Sequence, residues 1–407
     1  MSRLIVRNIG PIKEVDIDLK KVNVFIGAQS SGKSTLAKII SFCTWLDKHT
    51  DSTTKKHVNG AIHSLKRYHR LTDEYFNDDS VIFYQGDNMA YAYNWPDGDS
   101  LPFSEEGYEP ELHVNNTELF FEKLGRATNP KVIYIPAERN FVSAVPNLRD
   151  YQEDNDNLQD FVNTWFRVKR KYPKDKALDV LNLGVKYYYQ EESYQDLVII
   201  GEGRQIPLES SSSGLQSIIP LLVLLNWMSE GMYEEDKPFS PADNEEIEKI
   251  VLSGLNDLNK QDASIHEKLD RFLGFLSGRI YTHTQFIIEE PEQNLFPETQ
   301  CELMYNILSA VNHGKNHRLV MTTHSPYLLY ALNNCMSGYS VSDKLPESLK
   351  ATIKSASSFI NPDDVSVWQI RDGRLESIKK GDSIGEHYFN KIMNSILDDY
   401  YKIKAYK

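Results

Sequence analysis

The chain has few cysteines and no long hydrophobic run. Only three cysteines occur among its 407 residues, Cys43, Cys301 and Cys335, and no two of them have CxxC spacing. Isolated thiols argue against disulfides and zinc and favour a reducing cytosol. The longest apolar run, 218–228, is interrupted by a proline and an asparagine and is too short to span a bilayer. We therefore expect a cytoplasmic protein with no membrane-spanning segment.

Positive charge is also in short supply. Lys and Arg number 45 against 58 Asp and Glu, which gives a formal net charge of −13. Such a chain does not bind nucleic acid through its average surface, so any DNA contact requires a local basic patch. The first residues enter a strand pattern directly, and we expect no signal peptide. A hydrophobic content of 40% is enough for a substantial core.

The strongest motif is a glycine-rich loop between a strand pattern and a helix pattern. It reads Gly27, Ala28, Gln29, Ser30, Ser31, Gly32, Lys33, Ser34 and Thr35, which matches G-x-x-x-x-G-K-[ST]. Glycines let the backbone amides converge on an anion at a helix start. Lys33 supplies a charge for the β- and γ-phosphates, and the Ser34 hydroxyl can ligate Mg²⁺. The pattern predicts a site for the phosphates of ATP.

Two apolar strand patterns end in polar groups further along the chain. Residues 286–288 lead into Glu289 and Glu290, and 319–322 lead towards His324. Glu289 could hold Mg²⁺ through water, Glu290 could accept a proton from an attacking water, and His324 could donate to a γ-phosphate oxygen. Alone, each pattern is equally typical of a capped strand; following a phosphate-binding loop, they indicate catalysis.

A serine cluster at 210–213 precedes a helix pattern that contains Pro220, where we expect a kink. Serine and glycine at a helix start form an ordinary N-cap. The same groups, Ser212 and Gly214 among them, could bind an anion through a hydroxyl, bare backbone and the helix dipole. A second such device suggests that one serves the chain's own nucleotide and the other a neighbouring subunit's.

The sequence pattern predicts one α/β domain over 1–407 that carries several insertions. We expect an amino-terminal antiparallel sheet in 3–26, an insertion at 48–130 (helical, then a hairpin at 81–95) and an acidic surface loop at 97–117. A helical lid at 141–205 contains a strand pair at 187–206, and an acidic helical excursion spans 231–266. An amphipathic helix over 383–400 carries Ile384, Tyr388, Ile392 and Ile396 on one face.

The motifs in this order resemble ABC-type ATPases of the SMC/RecF/OLD-like branch, close to the ATPases of anti-phage systems such as Septu and PARIS. The resemblance implies a P-loop NTPase fold with a mixed central sheet. It makes 27–35 the Walker A loop, Glu289 the Walker B acid, and Glu290 the catalytic carboxylate. It makes His324 the switch histidine and puts Asn294 in the D-loop. Ser212 and Gly214 fall on the signature that closes on the opposite subunit's ATP.

Two features depart from the common pattern. Walker B carries Glu289 where Asp is usual, as in the OLD-like branch. The Q-loop is ambiguous, because 134–139 has the expected position without a glutamine, whereas Gln85 supplies a glutamine in a hairpin. We favour the segment 134–139 as the Q-loop because of its position.

These observations lead to the hypothesis of an Mg-ATP-hydrolysing switch that forms a homodimer or higher oligomer. The resemblance implies that it controls a partner effector, a nuclease or toxin, in anti-phage defence. A first alternative is a DNA-repair or chromosome-maintenance ATPase that binds DNA ends through the basic runs at 55–70 and 167–176. A second is the ATPase subunit of a transporter, although no coupling glutamine loop is obvious.

Overall fold

The structure, a computed structural model, describes residues 2–48, 60–103, 108–115, 117–123, 128–145, 148, 156–234 and 281–406. Its strands are β1 Ser2–Ile9, β2 Ile12–Leu19, β3 Val22–Gly27, β4 Val81–Gln85, β5 Met89–Tyr93, β6 Tyr108–Asn115, β7 Glu118–Lys123, β8 Pro130–Ile135, β9 Leu178–Asp179, β10 Lys186–Gln190, β11 Gln195–Ile200, β12 Arg204–Pro207, β13 His283–Glu289, β14 Arg318–Thr323, β15 Val365–Arg371, β16 Arg374–Ser377, β17 Lys379–Lys380 and β18 Ser383–Ile384. Its α-helices are α1 Lys33–Lys48, α2 Ala61–Tyr68, α3 Phe141–Ala144, α4 Asn157–Val168, α5 Ser213–Asn226, α6 Met232–Glu234, α7 Pro297–Asn312, α8 Pro326–Val341, α9 Glu347–Lys350 and α10 Tyr388–Lys404.

One mixed sheet organises the fold. Its twelve strands run in the order β6-β7-β5-β4-β1-β2-β16-β15-β3-β14-β13-β8. Strands β15, β3, β14, β13 and β8 pair in parallel with one another, and the strands from β6 to β2 pair antiparallel. Strand β16 pairs antiparallel with β15 and parallel with β2. The expected α/β fold with a mixed central sheet is confirmed, and the antiparallel strands belong to the same sheet as the parallel ones.

Side-chain alternation along β3 fixes which helices cover which face. Val22, Val24 and Ile26 point into a core shared with α5, α7 and α8, whereas Phe25 points into a core shared with α1. Helices on both faces leave the parallel strands fully buried, which explains their nearly continuous apolar sequences. The loops that follow β3, β13 and β14 therefore open at one edge of a rigid layer.

The two halves of the sheet meet at β16 and β2. Only one residue pair, Arg374 with Glu14, is in register there, alongside bonds from Lys13 N and Glu14 N to Gly373 O of 2.8 and 3.1 Å. Gly373 has φ +78°, and an added Cβ would lie 2.6 Å from Pro11 O. Glycine is therefore required at this junction.

Several predicted elements differ from those observed. The 97–117 segment, expected to be a loop, contains strand β6, because the edge of the sheet offers it a ladder with β7. The predicted pair at 187–206 is part of a four-stranded antiparallel sheet, β12-β11-β10-β9. Helix α5 continues through Pro220 to Asn226. The predicted excursion at 231–266 lies outside the described residues after position 234.

The carboxy-terminal helix also starts later than expected. Ser383 and Ile384 form strand β18, paired with Lys379 and Lys380, so Ile384 is not on the helix. Helix α10 begins at Tyr388 after a capping box between His387 and Asn390 and continues to Lys404. None of the described helices is long and apolar enough to cross a membrane.

A buried carboxylate ties α1 to the hairpin between β4 and β5. Asp47, 3% exposed, accepts hydrogen bonds from the backbone amides of Asp87, Asn88 and Met89 at 3.0, 2.9 and 2.8 Å. Burial raises the pKa of Asp47 to about 6, although these amides act in the opposite direction. The side chain replaces the ladder partners that a tight turn lacks.

We expect Asp47→Ala to destabilise the fold. The substitution leaves buried amides without an acceptor, at a cost of about 2–4 kcal/mol. Thermal unfolding followed by circular dichroism measures the change, with Asp99→Ala on an exposed loop as the matched control. Equal unfolding midpoints for the two variants would contradict this role.

Candidate functional site

Three adjacent parallel strands bring the predicted motifs to one edge of the sheet. Strand β14 lies between β13 and β3, and Thr322 is in register with Glu289 on one side and Phe25 on the other. The segments that follow, 27–35, 289–292 and 323–325, therefore start at the same level. The polar groups singled out at these strand ends in the sequence converge as a consequence of this register.

The phosphate-loop motif forms a tight turn between β3 and α1. Ser30 and Gly32 have φ +58° and +103°, the left-handed region that curls the backbone. An added Cβ at Gly32 would lie 2.5 Å from Ile12 Cδ1, and one at Gly27 would lie 2.7 Å from Ser31 Oγ. Both glycines are needed because larger residues would displace their neighbours.

Lys33 lies under this loop and is 5% exposed. Its ammonium donates to the carbonyl oxygens of Gly27 at 3.1 Å and Ala28 at 2.8 Å. Burial lowers the pKa of Lys33, and the charges of Glu290, Glu292 and Glu289 oppose that shift. An ammonium group has three N–H donors, so the third remains available to an anion bound by the loop.

The acidic segment leaves β13 through a strained residue. Glu289 is 4% exposed, and Glu290 has φ +42°, a conformation that costs on the order of 1–3 kcal/mol for a residue with a side chain. The Glu290 amide donates to Thr322 O at 2.9 Å. Burial raises the pKa of Glu289, and hydrogen bonding from the Ser34 hydroxyl favours the ionised form.

Glu290 and His324 are in direct contact. Glu290 Oε1 lies 3.3 Å from His324 Nε2, and Gln293 Nε2 donates to Glu290 Oε2 at 3.0 Å. Glu292 Oε1 accepts from the backbone amide of His324 at 2.5 Å. Burial and the charge of Lys33 lower the pKa of His324, whereas Glu290 acts in the opposite direction. The imidazole is therefore neutral at pH 7, and a ring N–H can donate a hydrogen bond to the Glu290 carboxylate.

A buried arginine holds the acidic segment in this conformation. Arg139, 0% exposed, donates to the carbonyl oxygens of Glu289 and Glu290, both at 2.9 Å, and of Pro291 at 3.1 Å. Its Nε donates to Ser217 O on α5 at 3.1 Å. Burial lowers the pKa of Arg139 to about 10, so the guanidinium stays charged at neutral pH. It links β8, the acidic segment and α5.

Several buried polar atoms at this edge have no hydrogen-bond partner among the described residues: Ser31 Oγ, Glu289 Oε1, Glu292 Oε2 and Thr322 Oγ1. Unsatisfied buried groups are uncommon and indicate a ligand, ion or water. Oxygen donors of this type suit Mg²⁺, which commonly takes one or two protein ligands, waters and phosphate oxygens. The donors Ser34 and Glu289 therefore fit a magnesium ion, and the loop fits a phosphate group.

The serine cluster at 210–213 lies at the start of α5. Ser212 caps α5 by accepting from Leu215 N at 3.4 Å, and it is exposed. A Cβ added at Gly214 would lie 2.8 Å from Asn294 O, so α5 packs closely on the segment after the acidic residues. Within the described residues, none of the hydrogen bonds of 210–216 reaches the loop at 27–35.

The structure thus brings together Lys33, Ser34, Glu289, Glu290 and His324, and it leaves Ser212 exposed and Gly214 half-buried at the start of α5, beside Asn294. Gln85 lies on β4, with four strands between it and β3, whereas the alternative segment 134–139 follows β8 beside β13.

Arg139, Glu292 and Gln293 contact the site but were not identified as site residues from the sequence. The sequence near these residues gives little indication of their role, because their partners are remote in sequence or depend on the turn at Glu290.

Comparison with protein families supports a nucleotide-binding ATPase. The family described as AAA ATPase domain (AAA_15) matches residues 1–177, which include the phosphate loop. No curated protein matches the chain.

Three solved structures illustrate the similarities of fold. The SMC head domain from Thermotoga maritima is 9% identical, with coverage of 93% of this chain and 98% of that one and a TM-score of 0.37. A Pyrococcus furiosus Smc head with an extended coiled coil, bound to the C-terminal domain of ScpA, is 10% identical, with coverage of 98% and 100% and a TM-score of 0.38. A dimeric ATP-binding cassette with ADP and Pi is 10% identical, with coverage of 93% and 100% and a TM-score of 0.30. Similarity at this level identifies neither a substrate nor a partner.

The contacts of His324 predict opposite effects of two substitutions on its pKa. Lys33→Met removes a cation that lowers this pKa, so the pKa should rise; Glu290→Gln removes an anion that raises it, so it should fall further. NMR titration of the imidazole, identified by the loss of its signal in His324→Gln, measures both. His387, remote from this edge, should titrate unchanged. Shifts in the same direction would contradict the described arrangement.

Proposed function

We propose that the chain is an Mg-dependent ATPase that binds and hydrolyses ATP and uses the nucleotide to close a head-to-tail dimer. The observation that carries the proposal is the 3.3 Å contact between Glu290 and His324 at the edge where Lys33 closes the phosphate loop. The unpartnered buried oxygens at the same edge support it. Residues 1–177, which match an ATPase family, contain the loop.

In this proposal the triphosphate lies across the loop at 27–35. The backbone amides, the Ser31 hydroxyl and the third donor of Lys33 bind its oxygens, and the start of α1 adds a favourable dipole. Ser34 and Glu289 would hold Mg²⁺, which when bound would supply positive charge against the charge that develops on the phosphates. Burial makes each of these interactions stronger than it would be in water.

Hydrolysis requires a water aligned with the terminal phosphate. Glu290 orients this water and accepts its proton, and Gln293 fixes the second carboxylate oxygen at 3.0 Å. His324 Nε2 lies beside Glu290 and can donate to a γ-phosphate oxygen once the nucleotide binds. Arg139 acts as a positioning residue, because it contacts the backbone of the catalytic segment and not the reacting atoms.

The exposed half-site supports dimer closure. Ser212 caps a 14-residue helix that carries Gly214 in its first turn, and Ser212 and Ser213 are exposed there, a suitable cap for a nucleotide held by a second subunit. Large apolar side chains flank the catalytic edge: Phe296 is 74% exposed and Tyr327 is 42% exposed. A homodimer that sandwiches two nucleotides would cover these groups. Differential affinity of the two conformations for nucleotide then drives the switch.

We infer that the output is passed to a partner effector, a nuclease or toxin, in a cytoplasmic anti-phage defence complex. This step rests on the order and type of the motifs, above all the Glu-Glu-Pro-Glu segment. Two of the described lysines in the basic runs considered for DNA binding form ion pairs within the chain. Lys169 pairs with Asp196 at 2.8 Å, and Lys66 pairs with Asp73 at 2.9 Å.

Glu290→Gln should separate nucleotide binding from turnover. An amide keeps the size of the side chain but cannot accept the proton, so hydrolysis should fall by about 100-fold or more while ATP binding is retained. Phosphate release and light scattering with ATP should show a slow enzyme that accumulates dimers. Lys33→Ala should fail to bind, and Glu298→Gln on an exposed turn should behave as wild type. Unchanged hydrolysis by Glu290→Gln would exclude this residue as the base.

Ser212→Arg tests the composite site. A bulky cation on the exposed helix start should leave binding of ATP by the loop intact and block dimer closure. Equilibrium binding of a fluorescent ATP analogue and ATP-dependent sedimentation measure the two effects separately. Ser100→Arg, at another exposed serine, is the control. Normal ATP-driven dimerisation of Ser212→Arg would exclude the serine cluster from the interface.

A further inference from the structure

Within the described part of the chain, helix α10 contacts the domain through its first turn. Tyr388 N donates to Gln369 Oε1 at 2.9 Å, Asn390 Nδ2 donates to Tyr330 OH at 3.3 Å, and Phe389 packs against the main core. Every residue from 391 to 406 is exposed. Over most of its length this helix therefore gains no stability from packing against the described residues.

The exposed part of α10 is nevertheless strongly two-sided. Apolar residues follow a 4-3-4-3 spacing, the a and d positions of a heptad; this row, the seam, comprises Phe389, Met393, Ile396, Tyr400 and Ile403. Met393, Ile396, Tyr400 and Ile403 are 59%, 60%, 53% and 66% exposed. The opposite face carries Lys391, Asn394, Ser395, Asp398, Tyr401 and Lys402, of which Tyr401 is the one aromatic residue. This is the pattern of a coiled-coil strand, and no described helix of the chain covers it.

We propose that the seam pairs, in parallel and in register, with the seam of a second copy of this chain. In a parallel two-stranded coiled coil, each g position faces the e position five residues later on the other helix. Asp399 would face Lys404 of the second copy, and Ile392 would face Leu397, each pair occurring twice by symmetry. The flanks therefore match themselves in both charge and apolar character.

The alternative antiparallel arrangement fits less well. It places g positions opposite g positions and e positions opposite e positions. Asp399, at a g position, would then meet Ile392 or a second Asp399, and Lys404, at an e position, would meet Asn390 or a second Lys404. In the single chain Asp399 contacts Lys402 at 3.3 Å, but both side chains are at least 70% exposed, and such pairs contribute little. Asp399 can therefore exchange this partner for Lys404 of the second copy at low cost.

The length of the seam defines how the contact behaves. From Phe389 to Ile403 it spans about 21 Å at 1.5 Å per residue, which is too short for tight association alone. The contact requires no nucleotide. We expect a weak dimer in the nucleotide-free protein, with a dissociation constant in the micromolar range. Such a contact would keep two ATPase domains near each other and raise their effective concentration for closure on ATP.

Charge exchange tests the register directly. Sedimentation equilibrium of the nucleotide-free full chain should show a dimer, and Lys33→Ala, which removes nucleotide binding, should not change it. Asp399→Lys and Lys404→Asp should each weaken it severalfold because like charges then face each other, and the double variant should restore it. Asp398→Lys on the outer face is the control, and Ile396→Asp should abolish the dimer.

Cross-linking tests the orientation independently. Tyr400→Cys occupies an a position, so the two cysteines of a parallel pair lie close enough for a disulfide, and oxidation should give a covalent dimer. Asp398→Cys should not. The proposal is overturned if the nucleotide-free chain is monomeric at about 100 µM, if the double charge variant fails to recover, or if Tyr400→Cys cross-links no better than Asp398→Cys. A dimer that appears only with ATP would support the proposed switch while excluding the seam.

Discussion

The catalytic edge depends on one buried cation. Arg139 is completely enclosed, yet its hydrogen bonds to the described residues go to backbone carbonyl oxygens and not to carboxylates. A guanidinium has five donors in a rigid plane, so it can fix several carbonyls at once in a way that a lysine could not. The charges of Glu292, Glu290 and Glu289 help to keep it protonated despite its burial. The acidic segment and the arginine therefore stabilise each other.

This cation explains how Glu290 can persist with φ +42°. Bonds from Arg139 to the carbonyls on both sides of the turn, and from the Glu290 amide to Thr322, hold a conformation that an isolated chain would avoid. The strain aims the carboxylate at His324. Because the backbone of the acidic segment is already fixed, the site needs little rearrangement when a ligand binds, which favours electrostatic catalysis.

The sequence predicted the parts of the site whose signals are local. The loop at 27–35 is a contiguous motif, and the strands leading to Glu289 and His324 are short apolar runs, so their convergence follows from parallel register. Arg139 could not be found in this way, because its partners on α5 and β13 lie far along the chain. Strand β6 was mistaken for a loop because its pairing comes from β7 and not from its own composition. On α10, Tyr388, Ile392 and Ile396 of the predicted face lie on the helix, but Ile384 belongs to a strand and the helix starts at Tyr388.

The junction at Gly373 has a mechanical consequence. Strands β13, β14 and β3 are each joined to their neighbours by ladders of five or six residue pairs, whereas β16 and β2 share one pair. Bending resistance in a sheet comes from the number of rungs that must distort together. The β16–β2 junction is thus where the sheet itself resists bending least, and the apolar core around α1, which packs on strands of both halves, supplies the rest of the connection.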